Sequence, residues 1–425
     1  MIALGLVFVG LLVIGAPIAF ALGLAAVVYV TVETQLPLMI VFQRMFTSLD
    51  SFPFMAIPFF ILAGALMNAS GLADQIIKFS RAIVGHLAGG LSNVSIVASM
   101  LFGGVSGSAI ADSSALGSIL IPAMNKEGYH ARFSAAINAT SSTMGIIIPP
   151  SIPMILAGVA TNLSIRDLFF GGLVPGLMVG VGLLIVSTFI SRRRHYPKYP
   201  RPPLRAIFMA TLRAVPAFLM VAIILGGILG GIFTATEASV IAVIYALLVG
   251  AIARRLTFAN LYKALVETMT SSAVVMVVIA TAGVITWLLA YSRIPQALAA
   301  SLGAAVQSPL LLLFILVLAF VVAGTVLDVS PGVLLFGPIL LPMVRVAGID
   351  PIHFTVVMVF ALAIGLTTPP VGTTMMISAH IAQIPVLEVA RGSVPFILMM
   401  LLILLALIVF PALVLWAPAI LFRGG

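Results

Sequence analysis

The chain has 425 residues, of which 62% are hydrophobic and 7% are charged. Soluble domains have about 45–50% apolar and about 25% charged residues, so this composition excludes an ordinary soluble protein. Because a membrane helix uses about 20 apolar residues, the chain has the capacity for about a dozen such segments. The absence of cysteine excludes disulfides, zinc–thiolate sites and thiol catalysis. The net charge of +9 comes from basic residues between apolar runs, which predicts membrane orientation and contact with anionic lipid rather than nucleic-acid binding.

The first half of the chain, residues 1–190, opens with the apolar run MIALGLVFVGLLVIGAP. This run lacks the basic start of a cleavable signal, so we expect a retained membrane segment. Further along, at about residues 90–124, small and polar residues separate two apolar arms, in GGVSGSAIADSSALGSILIPAM. The arms are too short to span the membrane singly, which predicts a re-entrant helical hairpin.

At about residues 131–160 the pattern is that of a spanning helix broken midway, at SSTMGIIIPPSIPM. Pro149 and Pro150 remove two backbone donors and push the preceding residue out of the α region. Non-helical backbone at membrane depth is tolerated where it is buried in protein or lines a cavity. The break is therefore expected to lie in the protein interior.

A basic segment at residues 191–213 follows the first half. Six Lys or Arg residues fall between positions 192 and 205, and prolines at positions 197, 200, 202 and 203 prevent a helix there. Positive charge of this density is retained in the cytoplasm. We predict a cytoplasmic linker between two halves.

The second half, residues 214–425, repeats the pattern of the first. A hairpin, again with arms expected to be too short to span singly, is predicted at about residues 309–345, and a broken helix at about residues 352–380. Shifting the chain by 220 residues without a gap matches nine glycines and prolines: Gly104–Gly324, Gly117–Gly337, Pro122–Pro342, Gly128–Gly348, Gly145–Gly365, Pro149–Pro369, Pro150–Pro370, Gly172–Gly392 and Pro175–Pro395. Matched glycines and prolines imply matched bends. The predicted fold is an all-α polytopic membrane protein with two repeats.

The two repeats are predicted to be inverted. Lys126, His130 and Arg132 place Gly128 on the cytoplasmic side, whereas Asp350 partly offsets Arg345 beside Gly348 and favours the periplasmic side. Paired interrupted segments in two repeats are the best sequence indication of a transporter's binding site.

The interrupted segments supply oxygen ligands for a small hard cation and helix N-termini for an anion. In the first half the candidates are Ser106, Gly107, Ser108, Ser141, Ser142, Thr143 and Gly145. In the second half they are Asp328, Ser330, Gly332, Gly365, Thr367, Thr368, Gly372 and Thr373. The alternative is that these small residues only allow helices to pack closely.

Three acidic residues, Asp112, Asp328 and Glu237, need their own interpretation. Asp112 is either a substrate or gating residue, because a carboxylate inside the membrane is costly, or the N-cap of the returning hairpin arm. Asp328 is given the equivalent place in the second half, with the same two readings. Pro149, Pro150, Pro369 and Pro370 join Asp112 as candidates for gating. Glu237 is predicted to cap a helix or brace the scaffold.

An enzyme is not indicated, since the chain lacks HExxH, GxSxG and the Walker sequence. Transport must therefore be driven by an ion gradient or by another chain.

The segments GGVSGSAIADSSALGSILIPAM, GIIIPPSIPMI, GIFTATEASVIAVIYAL and GLTTPPVGTTMM resemble the large membrane subunit of tripartite ATP-independent periplasmic (TRAP) transporters over nearly the whole chain. The family usually has TPTEA where this chain has TATEA, at Thr234 to Ala238. The resemblance implies an elevator-type carrier of the bacterial inner membrane, in which a transport domain slides against a scaffold. It implies coupling to two or more sodium ions, bound by residues 106–108 with 141–145 and by residues 328–332 with 365–373.

The resemblance also implies two partners, a small membrane subunit and a soluble periplasmic binding protein that delivers carboxylates such as sialic acids or C4-dicarboxylates. Two alternatives stay open. One is a stand-alone carrier of the divalent-anion/sodium symporter type, and the other is a channel or an intramembrane enzyme acting on lipid.

Overall fold

The structure is a computed structural model that describes residues 2–294, 296–297 and 308–422, and this part of the chain forms helices and no strand. The remaining positions of the two predicted halves lie outside the described residues. Seven of the described helices are long and apolar enough to cross a membrane, fewer than the dozen segments that composition allows. The difference arises because many apolar residues lie in shorter helices, such as the hairpin arms and the halves of the broken helices.

The first half contains ten α-helices and two 3-10 turns within its described residues. The helices are α1 (Ile2–Val13), α2 (Ile18–Glu33), α3 (Met39–Leu49), α4 (Ala56–Ala69), α5 (Leu72–Val84), α6 (Gly90–Ser106), α7 (Ala109–Lys126), α8 (Ala131–Ser141), α9 (Ile152–Thr161) and α10 (Ile165–Arg193). The 3-10 turns are Phe52–Met55 and Ser142–Ile146.

The second half contains nine α-helices within its described residues. They are α11 (Leu204–Leu229), α12 (Ala235–Ile252), α13 (Phe258–Tyr291), α14 (Pro309–Gly324), α15 (Val329–Val346), α16 (Pro351–Gly365), α17 (Thr373–Ala382), α18 (Val386–Val409) and α19 (Ala412–Phe422).

Both predicted hairpins and both broken helices are present. Helices α6 and α7 form the first hairpin and α14 and α15 the second, while α8 with α9 and α16 with α17 are the broken pairs. The expectation that every hairpin arm is too short to span singly was wrong for α15, which has 18 residues and is long enough to span the membrane. Its packing against α9, α13 and α16 keeps it inside the protein.

The irregular part of the basic linker is shorter than predicted. Helix α10 continues to Arg193 and α11 begins at Leu204, so only residues 194–203 are non-helical. These ten residues contain all four linker prolines. Basic residues alone do not end a helix, and the proline-rich stretch does.

The two halves follow the same pattern of helix starts. Helices α7 and α15 begin 220 residues apart, as do α8 and α16. After the proline breaks the spacing becomes 221 residues, for α9 with α17 and for α10 with α18. The predicted pairs Gly172–Gly392 and Pro175–Pro395 are therefore one residue out of step with the helix starts, because the second break holds one extra residue.

Helices of one half pack on the corresponding helices of the other in exchanged pairs. Helix α9 contacts α15 while α17 contacts α7, and α10 contacts α16 while α18 contacts α8. In the same way, α2 contacts α13 while α12 contacts α4. Such exchanged packing is the signature of a two-fold relation between the halves.

Helix α18 shows that this relation inverts one half against the other. Its 24 residues extend about 36 Å, at 1.5 Å per residue. Near its start Glu388 Oε2 lies 3.6 Å from Arg132 NH1, in the first turn of α8. Near its end the carbonyl oxygen of Leu407 accepts a 2.8 Å hydrogen bond from His353 Nε2, in the first turn of α16. Equivalent helices therefore start at opposite ends of the protein.

Two groups of helices can be distinguished by their contacts. The frame comprises α1–α4 and α11–α13, and the core comprises the hairpins, the broken helices, α10, α18 and α19. Helix α5 packs on α11 of the frame and on α6 of the core. Where the frame and the core meet, a Cβ built at Gly64 in α4 would lie 3.4 Å from Ser106 Cα at the first hairpin tip. Thr286 of α13 donates to Leu334 O in the second hairpin across 3.4 Å. The first hairpin tip therefore lies close to the frame helix α4.

Candidate functional site

The first candidate site forms where the tip of hairpin α6–α7 meets the break between α8 and α9. Gly107 ends α6 in the left-handed region at φ 62°, which turns the chain sharply at the tip. The Gly107 carbonyl accepts a 3.3 Å hydrogen bond from Ile152 N, the first residue of α9. This bond fixes the tip against the backbone that follows Pro149 and Pro150, whose peptide bond is cis.

Asp112 is the central group of this site. It is fully buried, and its Oδ1 accepts a 2.6 Å hydrogen bond from Ser106 Oγ across the hairpin turn. Its other oxygen, Oδ2, is buried without a hydrogen-bond partner. A carboxylate oxygen in this position is costly unless a cation or proton accompanies it.

Gly145, in the 3-10 turn of the break, faces the same carboxylate. A Cβ built at Gly145 would lie 2.7 Å from Asp112 Oδ2 and 3.3 Å from the carbonyl oxygen of Ser108. The absence of a side chain thus brings the break, the tip and the carboxylate together. Carboxylate, hydroxyl and carbonyl oxygens are the ligand types that hard cations prefer.

The two readings of Asp112 are separated by the geometry. Ser108, not Asp112, is the N-cap of α7, since its hydroxyl accepts a 3.4 Å hydrogen bond from Ala111 N. The capping alternative for Asp112 was therefore wrong. Under the 220-residue shift Asp328 corresponds to Ser108, and Asp328 does cap α15 by accepting from Ser330 N at 3.3 Å. The expected equivalence of Asp112 and Asp328 was wrong, because Asp112 corresponds to Gly332.

The remaining candidates of the first half are buried but point elsewhere. Ser141 Oγ lies 3.0 Å from Ser99 Oγ on α6, while Ser142 and Thr143 donate to carbonyl oxygens of their own helical turn. The structure brings Ser106, Gly107, Ser108, Asp112, Gly145 and Pro150 together. It does not bring the hydroxyls of Ser141, Ser142 and Thr143 to them.

In the second half the tip and the break also meet, with different contacts. Thr325 O accepts hydrogen bonds from Val371 N at 3.1 Å and Gly372 N at 3.4 Å. Gly365 packs directly on Gly324, where a Cβ would collide with backbone. The Pro369–Pro370 peptide bond is cis. The turn residue Thr325 was not among the sequence candidates, although its hairpin-tip position could have indicated it.

The hydroxyls of this second site are divided. Thr367 and Thr368 both donate to Ile364 O, at 2.8 and 2.9 Å, whereas Thr373 Oγ1 is buried without a partner. Within the described residues no hydrogen bond joins Asp328 or Ser330 to residues 365–373, and Gly332 faces Leu362. The predicted grouping of residues 328–332 with 365–373 is therefore looser than that around Asp112.

Glu237 has the predicted capping role. Its Oε2 accepts hydrogen bonds from Thr234 N at 2.8 Å and from Thr234 Oγ1 at 2.9 Å, while its own N donates to Thr234 Oγ1 at 3.3 Å. This reciprocal arrangement is a capping box at the start of α12. The alanine at position 235 does not prevent the helix from starting there.

Comparison with known proteins identifies the family. The sequence pattern described as the tripartite ATP-independent periplasmic transporter, DctM component, matches residues 5–413. The chain belongs to this family. It is thus a TRAP large permease, a transporter subunit of the inner membrane and not an enzyme by family.

Similar proteins carry names for several solutes. The chain is 35% identical to the sialic acid TRAP transporter large permease SiaM of Vibrio cholerae, over 98% of both chains. It is 36% identical to the 2,3-diketo-L-gulonate TRAP transporter large permease YiaN of Escherichia coli, over 96% of this chain and 97% of YiaN. It is 39% identical to the isethionate TRAP transporter permease DctMQ of Oleidesulfovibrio alaskensis, over 94% of this chain and 64% of DctMQ.

The fold is also similar to that of a solved transporter. The crystal structure of YdaH from Alcanivorax borkumensis superposes with a TM-score of 0.64 and covers 96% of this chain and 98% of YdaH. The two sequences are 17% identical, so the likeness concerns the fold alone.

Proposed function

We propose that this TRAP large permease is the large transmembrane subunit of a sodium-coupled secondary importer of carboxylate-bearing organic anions, of the sialic acid or C4-dicarboxylate class. The observation that carries the proposal is the buried Asp112 carboxylate, with one oxygen bonded to Ser106 and the other without a partner. A sodium ion next to Asp112 Oδ2 would neutralise that charge. The Ser106 hydroxyl, the carbonyl oxygen of Ser108 and the close approach of the Gly145 backbone to Asp112 Oδ2 supply suitable surroundings.

A second ion is proposed at the second break. Thr373 Oγ1 is buried without a partner beside the backbone of Gly372, whose built Cβ would lie 3.1 Å from Thr368 O and 3.2 Å from Leu366 O. Asp328, Ser330 and Gly332 shape the neighbouring hairpin, and Gly365, Thr367 and Thr368 shape the break. In the inverted arrangement the two sites are reached from the two hairpin tips, which suits alternating access.

Movement is proposed to follow an elevator mechanism, in which the core slides along the frame with Pro149, Pro150, Pro369 and Pro370 holding the breaks open. The position of the first hairpin tip supports it, because a Cβ built at Gly64 of the frame would lie 3.4 Å from Ser106 Cα, so the tip lies at the boundary between the core and the frame. The chain is further proposed to work with a small membrane subunit and a periplasmic binding protein. The relative named DctMQ supports the small subunit, because this chain matches only 64% of that protein and the rest of its length is available for a fused second subunit.

The test is uptake into proteoliposomes that contain this chain and its proposed small membrane subunit. The proposed periplasmic binding protein is loaded with radiolabelled N-acetylneuraminate or succinate and added outside. We expect uptake of one of them only with an inward sodium gradient, and loss of uptake when choline replaces sodium. Uptake that persists in choline would contradict sodium coupling. Sodium-driven uptake without the binding protein would instead show a stand-alone carrier of the divalent-anion type.

A further inference from the structure

A cluster of three buried polar side chains joins the two halves inside the core. Ser113 of α7, Asn138 of α8 and Ser378 of α17 are each fully buried, and we call them the polar junction. Asn138 Nδ2 donates to Ser113 O at 3.0 Å and to Ser378 Oγ at 2.9 Å, and the two serine hydroxyls lie 3.2 Å apart. None of the three residues was among the candidates from the sequence, although an asparagine within an apolar helix could have indicated Asn138.

The corresponding place in the inverted half is apolar. The counterparts of Ser113, Asn138 and Ser378 are Val333, Met358 and Ala157, at the contact of α15, α16 and α9. Asn138 and Met358 each face the equivalent glycine of a hairpin arm, Gly117 and Gly337, at different distances. A Cβ built at Gly117 would lie 2.5 Å from Asn138 Nδ2, and one built at Gly337 would lie 3.6 Å from Met358 Cε. The chain thus places three polar side chains at one junction and three apolar side chains at the equivalent positions. There the nearby hydroxyl of Thr161 donates to the carbonyl of Ala157 within its own helix and, among the described residues, joins no other helix.

Packing alone does not explain the polar version. Asn138 Oδ1 is buried without a hydrogen-bond partner, which is unfavourable in a membrane protein's interior. Since valine, methionine and alanine occupy the equivalent positions in the other half, the fold itself does not require serine and asparagine. The polar junction therefore serves a purpose that is specific to the contact of α7, α8 and α17.

The junction lies between the two proposed ion sites. Ser113 directly follows Asp112 in the first turn of α7. Ser378 lies in α17, the short helix that starts at Thr373, and Ser113 Oγ also approaches Thr374 O at 3.4 Å. Thr374 in turn donates to Leu366 O in the second break, at 2.8 Å. Through Thr374, these two hydrogen bonds connect helix α7 next to Asp112 with the second break, which ends at Gly372 just before Thr373.

We propose that the polar junction couples the two ion sites, so that ordering of the Asp112 turn by a cation also orders the second break. The inference rests on the proposed function, because it needs a cation at each site. The directional hydrogen bonds of Asn138 and Ser378 favour one relative position of α7 and α17, whereas an apolar contact allows several. Coupling between sites typically changes affinity by about 5- to 150-fold and acts equally in both directions.

The experiment is a double-mutant cycle on the full-length protein in lipid nanodiscs. Hydrogen exchange of residues 366–378 is followed during titration with sodium chloride, with choline chloride holding ionic strength constant. Asp112→Asn removes the first site, and S113V/N138M/S378A installs the residues of the apolar junction. We expect Asp112→Asn to raise the sodium concentration that gives half-maximal protection of residues 366–378 by about fivefold or more when the polar junction is intact. In the protein with the apolar junction, the same substitution should raise it by less than about twofold.

Ser187→Ala is the matched control, because Ser187 is also fully buried and bonded to a serine, Ser92, at 2.8 Å. It should leave the fivefold shift intact. Ser378→Ala alone provides a milder variant should the triple exchange fail to fold. An equal shift with and without the polar junction, or no shift with it, would overturn the coupling. If sodium protects residues 366–378 no better than choline even in the unaltered protein, the second ion site itself is wrong, and the coupling falls with it.

Discussion

Ser106 and Ser108 stand two residues apart at the first hairpin tip and have different tasks. Ser106 Oγ donates to Asp112 at 2.6 Å, whereas Ser108 caps α7. Both serines lie in a run of small residues, so the sequence alone does not distinguish their roles. Their separation depends on the left-handed turn at Gly107, which places one side chain before the turn and the other after it.

Ser106→Ala is expected to raise the sodium concentration for half-maximal uptake several-fold while expression stays normal. The physical reason is that Asp112 would lose its neighbouring donor and bind its cation in a less ordered position. Ser108→Ala should instead destabilise the start of α7 by about 1 kcal/mol, as loss of an N-cap does. Sodium-dependent uptake and thermal unfolding in detergent measure the two effects. Unchanged sodium dependence in Ser106→Ala would favour the packing interpretation of this tip.

At the scale of elements, the linker is held against the core by aromatic contacts. Tyr196 stacks on Tyr129 with ring centroids 4.4 Å apart, and Tyr129 donates to Pro197 O at 3.3 Å. Tyr199 donates to Glu127 and lies under the Arg81 guanidinium, 3.8 Å from its ring centroid. Burial, with the Glu127 carboxylate adding to it, raises the pKa of the Tyr199 phenol to about 12. The phenol therefore stays protonated and keeps donating at any physiological pH.

The docked linker should resist proteolysis. Trypsin added to inside-out vesicles is expected to cut slowly after the exposed Lys198, because the next residue, Tyr199, is held by Glu127 and Arg81. Tyr199→Ala should increase the cleavage rate there severalfold, and Tyr262→Ala, an exposed tyrosine of α13, should not. Cleavage in right-side-out vesicles and not in inside-out vesicles would contradict the cytoplasmic position of the linker. Equal rates in Tyr199→Ala and the unaltered protein would show that the linker is not held by this contact.

At the scale of the whole molecule, inversion has a direct consequence for labelling. Gly128 and Gly348 themselves adopt φ of 87° and 76°, so a cysteine there would strain the backbone. Lys126 and Val346, also 220 residues apart, are exposed and helical, and the chain has no native cysteine to interfere. We expect an impermeant maleimide to label Lys126→Cys only from the cytoplasm and Val346→Cys only from the periplasm. Labelling of both positions from one side would mean that the repeats are parallel.

The sequence determined the elements that leave a local mark. Proline pairs fixed the helix breaks, runs of small residues fixed the hairpin tips, and the 220-residue register of glycines and prolines revealed the duplication. Each of these features acts through the backbone of the residue itself or its neighbours, so it is readable from a single chain. The capping box of Thr234 and Glu237 is local in the same way.

Tertiary structure alone decided which polar residues meet. Ser141 and Ser106 look equally suited to bind an ion in the sequence, yet only Ser106 contacts Asp112. The polar junction joins Ser113 to Ser378 across 265 residues, and nothing in either neighbourhood indicates the other. Such contacts are set by the exchanged packing of the two inverted halves. A chain read from one end to the other does not reveal which helix faces meet, because that depends on the two-fold relation between distant segments.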